Sequence, residues 1–303
     1  MTTPRRNRYD FHCHSAASDG RDPPLAVYAA MRDWGLKVAA LSDHDTLEGY
    51  RVVRAAGLGG ADAPAGSGPR LVPALELNAV AVPGQDDGGP LGERHFLGYG
   101  IDPADPGLTA ALARQRAYRR ERIAATVERL RTLGLAVDEQ LHETLGPDVS
   151  SAGRPHVARA LVAAGHATSV EDAFARYLSR GRPAYVARQG LGNREAIETI
   201  TSAGGLAVLA HSADAVDAPR MLDRLQQWGL GGLEVYYGGY NRVFTPRRIG
   251  ELARLAAERG LVATGGSDYH GDTMTLQEAE ARTWVPRVAA ERLLEAIGWA
   301  GPA

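Results

Sequence analysis

Apolar and polar positions fall in blocks along this chain, and the blocks predict strands alternating with helices. Residues 9–14 read as a strand. Asp22-Pro23-Pro24 opens a helix running to about Trp34, because Asp can cap and Pro fits the first turn. Gly35 closes it. Residues 37–41 are the next strand, and 71–82 contains another. Two stretches, 57–69 and 83–92, are rich in Gly, Pro and Asp and read as surface loops.

After Gly100 the pattern changes. Asp105-Pro106 opens a long helix to about Leu133, dense in Arg and Ala. Shorter helices are predicted over 138–145, 156–164 and 170–179, with no convincing strand between Pro103 and Pro183. Alternation then resumes. Helices are predicted over 193–203, 219–228, 245–259 and 288–297, and strands over 206–210, 232–236 and 261–264. The expected fold class is α/β: strands alternating with helices imply a parallel sheet with right-handed crossovers. The expected division is a discontinuous main domain, 1–102 and 184–303, carrying a helical insertion at 103–183. No internal repeat or low-complexity segment is visible.

Composition narrows the function classes. The 303 residues allow a large core, and the contents of 44% hydrophobic and 23% charged residues are ordinary for a globular chain. A net charge of −2 suggests no nucleic-acid or membrane surface, so stable duplex-DNA binding is not expected. No apolar run approaches the roughly 20 residues of a membrane helix, and the basic N-terminus is not expected to be a signal peptide. Cys13 is the single cysteine, so no intrachain disulfide can form. A cytoplasmic location is expected.

Residues of metal-binding type recur at the ends of predicted strands, where barrels of this class place chemistry. His12 and His14 flank Cys13; alternation puts the two histidines on one strand face and Cys13 on the other, packed. Asp19 lies in a Ser-Asp-Gly turn, which is by itself an ordinary place for Asp. Asp43, His44 and Asp45 follow a strand, and Asp45 reads as a helix cap. Glu76 sits inside an apolar run, where an ionised carboxylate is costly unless paired or bound to a cation. His211 ends one strand, and Asp268 and His270 follow Gly-Gly-Ser after another. His95 begins a run instead of ending one, and a regular hairpin of 77–82 with 95–100 would set it several residues from Glu76. Arg154 and His156 sit at a helix start, where charge and backbone N–H groups can grip an anion or simply serve the fold. The five arginines within 114–122 read as a solvated helix face, and His142 and His166 as ordinary histidines.

Taken in order, His-x-His, Ser-Asp-Gly, Asp-His-Asp, Glu, His, Ala-His and Gly-Ser-Asp-x-His-Gly resemble the PHP (polymerase and histidinol phosphatase) family. The chain looks closest to its stand-alone nucleotide phosphoesterases, with a Gly-Arg-Pro-His segment and a Gly181-Arg182-Pro183-Ala184-Tyr185-Val186 stretch. It departs from the pattern at Ser212, where the family usually has Pro. The resemblance implies a distorted seven-stranded β/α barrel whose insertion acts as a substrate cap. It also implies two to three divalent ions, Mn²⁺, Fe²⁺ or Zn²⁺, the kinds that suit mixed imidazole and carboxylate ligands. By that resemblance His12, His14, Glu76 and Asp268 hold the first ion. Glu76 bridges to a second held with His95 and His211, and Asp19, His44 and His270 hold a third.

The implied reaction is phosphoester hydrolysis by metal-activated hydroxide held by Glu76, His211 and Asp268. Arg154 and His156 are candidate substrate contacts. The expected partner is a small phosphorylated nucleotide, such as a 3′,5′-bisphosphonucleotide, or the 5′ end of a short oligonucleotide. Histidinol phosphate phosphatase is the alternative enzyme, and a non-catalytic binding module the alternative outside enzymes. Oligomeric state is not legible.

Overall fold

In the computed structural model, residues 6–82, 93–145, 150–239 and 243–299 are described. The expected loop at 83–92 lies outside them. Strands β1 (Tyr9–Asp10), β2 (Val38–Ala39) and β3 (Arg70–Leu71) pair in parallel as a small sheet. A six-stranded sheet holds β4 (Ala74–Val80), β5 (Arg94–Tyr99), β6 (Leu191–Gly192), β7 (Leu206–Leu209), β8 (Leu230–Tyr237) and β9 (Val262–Gly266), in the order β6-β4-β5-β7-β8-β9. The fully parallel expectation is corrected at one strand. β5 runs antiparallel to both β4 and β7, because a hairpin and not a helical crossover joins it to β4.

Backbone bonds join the two sheets at two places. Phe11 N donates to Gly265 O at 3.2 Å and Asp268 N to His12 O at 2.7 Å, which ties β1 to β9. Elsewhere Asp45 N donates to Glu76 O at 3.0 Å, which ties the chain after β2 to β4. The predicted strand over 71–82 is two pieces, because Pro73 supplies no N–H to a ladder.

Helices cover the outside. These are α1 (Pro24–Trp34), α2 (Glu48–Ala55), α3 (Pro106–Thr132), α4 (Asp138–Leu145), α5 (Arg154–Ala163), α6 (Val170–Ala173), α7 (Asn193–Ser202), α8 (Pro219–Gln227), α9 (Pro246–Glu258), α10 (Leu276–Arg282) and α11 (Arg287–Ala296). Asp105 caps α3 by accepting from Leu108 N at 2.6 Å, and Gly35 ends α1 at φ 87°, as their sequence positions imply. α2 and α10 escape the pattern reading because each spans only about two turns. α6 runs into a π-helical turn at Phe174–Leu178. None of the helices in the described residues is long and apolar enough to cross a membrane.

Strand alternation sorts the core. Leu75, Leu77 and Ala79 of β4 face outward onto α7, α8 and α9 with Phe96, Leu209 and Leu233. Tyr9, Phe11, Val38, Leu97, Tyr99 and Val208 pack with α11 in a second cluster. Cys13 is packed away from its neighbouring histidines, beside Val27, Met31 and Leu41, as expected. α4, α5, α6 and the C-terminal half of α3 have an apolar cluster of their own, built on Ile123, Leu130, Val137, Val157 and Leu161.

Contact between β1 and β9 is closest at Gly266, where an added Cβ would overlap the backbone nitrogen and Cβ of His12. Gly266→Ala is predicted to wedge these strands apart, costing about 1–3 kcal/mol of stability. Urea denaturation checks this, and an unshifted midpoint would contradict it.

Candidate metal centre

All nine predicted ligands reach one rim. His12 and His14 follow β1, Asp19 lies in the turn beyond, and His44 follows β2. His211 follows β7, and Asp268 and His270 follow β9. The reversal of β5 explains His95. Because that strand runs the other way, its first residues lie beside the last residues of its neighbours. The hairpin does form, with Asn78 opposite His95 and Leu97 opposite Glu76. Glu76 and His95 are thus diagonal neighbours on one face, within side-chain reach. The separation expected from a regular hairpin is corrected: His95 Nδ1 lies 2.9 Å from Glu76 Oε1.

Glu76 is the hub. Its Oε1 faces His95 Nδ1 and His211 Nε2 (3.0 Å). Its Oε2 faces His12 Nε2 (3.4 Å), His14 Nε2 (3.2 Å) and His44 Nδ1 (3.0 Å). Asp268 Oδ1 lies 3.2 Å from His12 Nε2 and 3.3 Å from His14 Nε2. A third group gathers at Asp19, whose Oδ1 is 3.4 Å from His270 Nε2 and whose Oδ2 is 3.7 Å from His44 Nε2. His44 therefore stands between the Glu76 and Asp19 groups. His14 Nδ1, 3.9 Å from Asp19 Oδ1, also faces the third group.

Supporting residues fix these orientations. Glu234 on β8 accepts from His12 Nδ1 at 2.8 Å and from His211 N at 2.7 Å. That bond places the His12 proton on Nδ1 and leaves Nε2 as the lone-pair nitrogen facing Asp268. Tyr237 donates to Asp268 Oδ2 at 2.6 Å, which turns Oδ1 toward the histidines. Asp43 is structural, accepting from Ser15 N, Ser15 Oγ and Ser18 Oγ to brace the turn that carries Asp19. Among the described residues, three non-glycine residues adopt positive φ: Asp45 (51°), His211 (31°) and Asp268 (51°). Such backbone is strained and persists only where its surroundings enforce it. All three lie at or beside this rim.

The electrostatics call for cations. Burial opposes charge on these groups, and at Glu76, Asp19 and His14 the charged neighbours outweigh it. Glu76 is held well below the usual carboxylate range by His44, His95 and His12, and Asp19 likewise by His44 and His270. His14 is pushed up to about 10 against its burial by Asp268 and Glu76. His95 goes the other way, down to about 4, because burial exceeds the pull of Glu76.

The rim opens into a cavity of about 230 Å³ whose far wall is cationic, lined by Arg119, Arg154 and Arg188 with the Phe174 ring. Of the two predicted substrate contacts, Arg154 lines this cavity. His156 does not; it sits behind it, its Nδ1 accepting from Gly153 N at 3.1 Å as part of the α5 cap. A larger groove of about 550 Å³, between α9 and α11, is mostly alanine and valine and gathers no comparable chemistry.

The solvated-face reading of residues 114–122 holds for Arg114 and Arg120, which are exposed, and is corrected for two of the five arginines. Arg119 and Arg122 are buried, turned toward the site with Gln115. Asp45 is not a helix cap but the partner of Arg119 Nε, at 2.5 Å. Arg188 and Glu93 went unrecognised because no motif surrounds them. Glu234 had a usable cue, an acid inside an apolar strand, the same cue that picked out Glu76. His142 is exposed on α4, and His166 bonds the carbonyl of Ala136.

No family model matches the chain. A 3′,5′-nucleoside bisphosphate phosphatase of Chromobacterium violaceum is 32% identical over 269 residues, 86% of each chain. A 5′-3′ exoribonuclease of Haemophilus influenzae is 31% identical over 268 residues, 87% of this chain and 90% of its own. A structure described as a metal-dependent phosphoesterase of Bifidobacterium adolescentis superposes with a TM-score of 0.77 at 29% identity, covering 96% of this chain and 97% of that one. The chain belongs to the PHP family. Its mixed α/β fold with parallel strands is that of the family's structures.

The PHP site residues fit metal ions on a test internal to the structure. His12 Nε2, both ring nitrogens of His14 and Asp19 Oδ1 are buried and have no hydrogen-bond partner among the described residues. They lie close to carboxylates or imidazoles without hydrogen-bond geometry, as donors around a shared cation do. Glu234→Gln is predicted to leave the PHP fold intact while weakening metal affinity about 10- to 100-fold, because it loosens a hydrogen bond that orients a ligand. Metal titration monitored by elemental analysis measures this, and wild-type affinity in the variant would refute it.

Proposed function

We propose that this protein is a metal-dependent phosphoesterase acting on small phosphorylated nucleotides: a 3′,5′-bisphosphonucleotide phosphatase, or a hydrolase of the 5′ end of short oligoribonucleotides. One observation carries the reading. His12 Nε2 and His14 Nε2 each lie 3.2–3.4 Å from both Glu76 Oε2 and Asp268 Oδ1. Ligands about 2.0–2.2 Å from a tetrahedral cation are themselves separated by roughly 3.3–3.6 Å. His12, His14 and Glu76 form a buried group whose donor atoms all lie within 4.8 Å of one another; with Asp268 beside both histidines and a wall of arginines nearby, they suit a divalent cation and the phosphate it polarises.

In this reading His12, His14, Glu76 and Asp268 hold one ion, and Glu76, His95 and His211 a second. Asp19, His44 and His270, with His14 close by, hold a third. Two to three ions of Mn²⁺, Fe²⁺ or Zn²⁺ suit these donors. When bound, such ions supply Lewis acidity and make water a nucleophile near neutral pH, held over Glu76, His211 and Asp268.

The chain's own residues do the rest. Glu234 and Tyr237 keep their partners' lone pairs aimed inward. Arg154 and Arg188 attract the anionic substrate, and the Phe174 ring offers it an apolar flank. Cys13 takes no part, since its thiol is buried in the core. The two joined sheets read as a distorted β/α barrel (1–102 and 184–303), and 103–183 as a helical cap over its mouth. Relatives that act on nucleoside bisphosphates and RNA support the substrate class. A cytoplasmic setting suits the lone thiol.

Glu76→Ala is expected to lower kcat/KM on a bisphosphonucleotide by at least about a thousandfold and to remove at least one bound ion. Steady-state kinetics paired with elemental analysis tests both. Retained turnover at full metal content would overturn the assignment. A panel including histidinol phosphate and a 5′-phosphorylated oligonucleotide ranks the substrates.

A further inference from the structure

Four arginines crowd the mouth of the cavity, and they are neutralised in two different ways. Arg119 has a fixed counterion. Asp45 is fully buried and is also bonded by Gln115 Nε2 (3.2 Å) and Asn78 N (3.1 Å). The other three converge on Glu93. Arg122 Nη2 lies 3.0 Å from its Oε1, while Arg188 Nε at 3.3 Å and Arg154 Nη2 at 3.4 Å reach its Oε2. Three guanidinium groups around one carboxylate exceed what an ion pair needs. They make the planar, many-donor surrounding that phosphate recognition uses.

The cradle carries surplus charge. Arg188 is pushed down to about 10 by burial and by Arg119. Arg119 lines the same cavity, and its Nη2 is buried with no hydrogen-bond partner among the described residues. Glu93 is partly buried among Arg122, Arg154 and Arg188. Unlike Asp45, its side chain is about one quarter exposed, at 26%, so a route to water is open to it. It stands two residues before His95 on extended chain, and both line the cavity. The cradle therefore adjoins the metal ligands.

We infer that Glu93 is an internal anion occupying the place of the substrate's second phosphate, which displaces it on binding. The inference rests on the phosphoesterase reading above. A phosphate dianion offers three guanidinium groups more charge and more acceptors than one carboxylate. A ligand carboxylate gains nothing by replacing a tethered one. Glu93 thus biases the mouth toward substrates whose distal group is phosphate, and its return to the arginines assists product release.

The test compares metal-loaded wild type with Glu93→Gln on a 3′,5′-bisphosphonucleotide and on the matching 3′-mononucleotide. Removing the competitor should lower KM for the bisphosphate roughly tenfold while shifting the mononucleotide KM less than about twofold, the scale of one charge-assisted contact. Glu93→Asp, which keeps the charge, should retain the wild-type ratio. A bisphosphate KM that rises or stays put in Glu93→Gln would assign Glu93 a purely structural role and end the proposal. Equal shifts for both substrates, or an Asp variant that behaves like Gln, would do the same. If wild type hydrolyses neither nucleotide, the functional reading is what fails. Calorimetric binding of the bisphosphonucleotide, tighter in Glu93→Gln, then still decides the role of Glu93.

Discussion

A single buried carboxylate organises this molecule. Glu76 touches five imidazoles, two through one oxygen and three through the other. Those imidazoles come from β5 and from the chain beyond β1, β2 and β7. No ionised acid is stable in such a position without positive charge around it. Each histidine in turn needs a partner for its inward nitrogen. The hub is therefore a mutual constraint: the carboxylate requires the ring of histidines, and the histidines require a cation or a proton among them.

That constraint accounts for features of the fold that are otherwise odd. β1 and β2 are only two residues long, and single bridges beyond them, Cys13 with Tyr269 and His44 with Glu76, carry the pairing on to where the chain brings side chains over the rim. Asp45, His211 and Asp268 accept left-handed backbone at or beside that rim. β5 is reversed, and the reversal lets a strand's beginning contribute where its neighbours contribute their ends. Glu234 then links His12 and the His211 backbone across the ring, so two ligand-bearing segments share one brace.

Much of this was legible in the sequence, for physical reasons. Pro, Asp and Gly mark helix ends because each has one strong backbone preference, which is why α3 begins at Asp105-Pro106 and α1 ends at Gly35, although Asp22 leaves the start of α1 uncapped and accepts from the Tyr269 hydroxyl instead. A charged residue inside an apolar strand advertises a partner, so Glu76 stood out. What could not be read locally was pairing geometry. The position of His95 depends on a register that only the folded hairpin sets. Arg119 and Arg122 were hidden by composition, since an arginine-rich helix looks solvated. Their spacing told otherwise: Leu108, Ala111, Leu112, Gln115, Arg119 and Arg122 continue one helical stripe, and the stripe is buried throughout. Arg188 and Glu93 belong to no motif and acquire meaning only from each other.

The long helix α3 has a further consequence. Its first turns, with Leu108 and Leu112, are anchored among the strands, and its later turns, with Ile123 and Leu130, belong to the separate helical cluster. The arginines that face the site lie between these two anchorages. The sheet-side cluster and the helical cluster are thereby distinct packing units joined by one helix. Substitutions within the helical cluster can therefore shift the arginine-bearing turns of α3 while the histidine and carboxylate ring on the sheet side keeps its own packing.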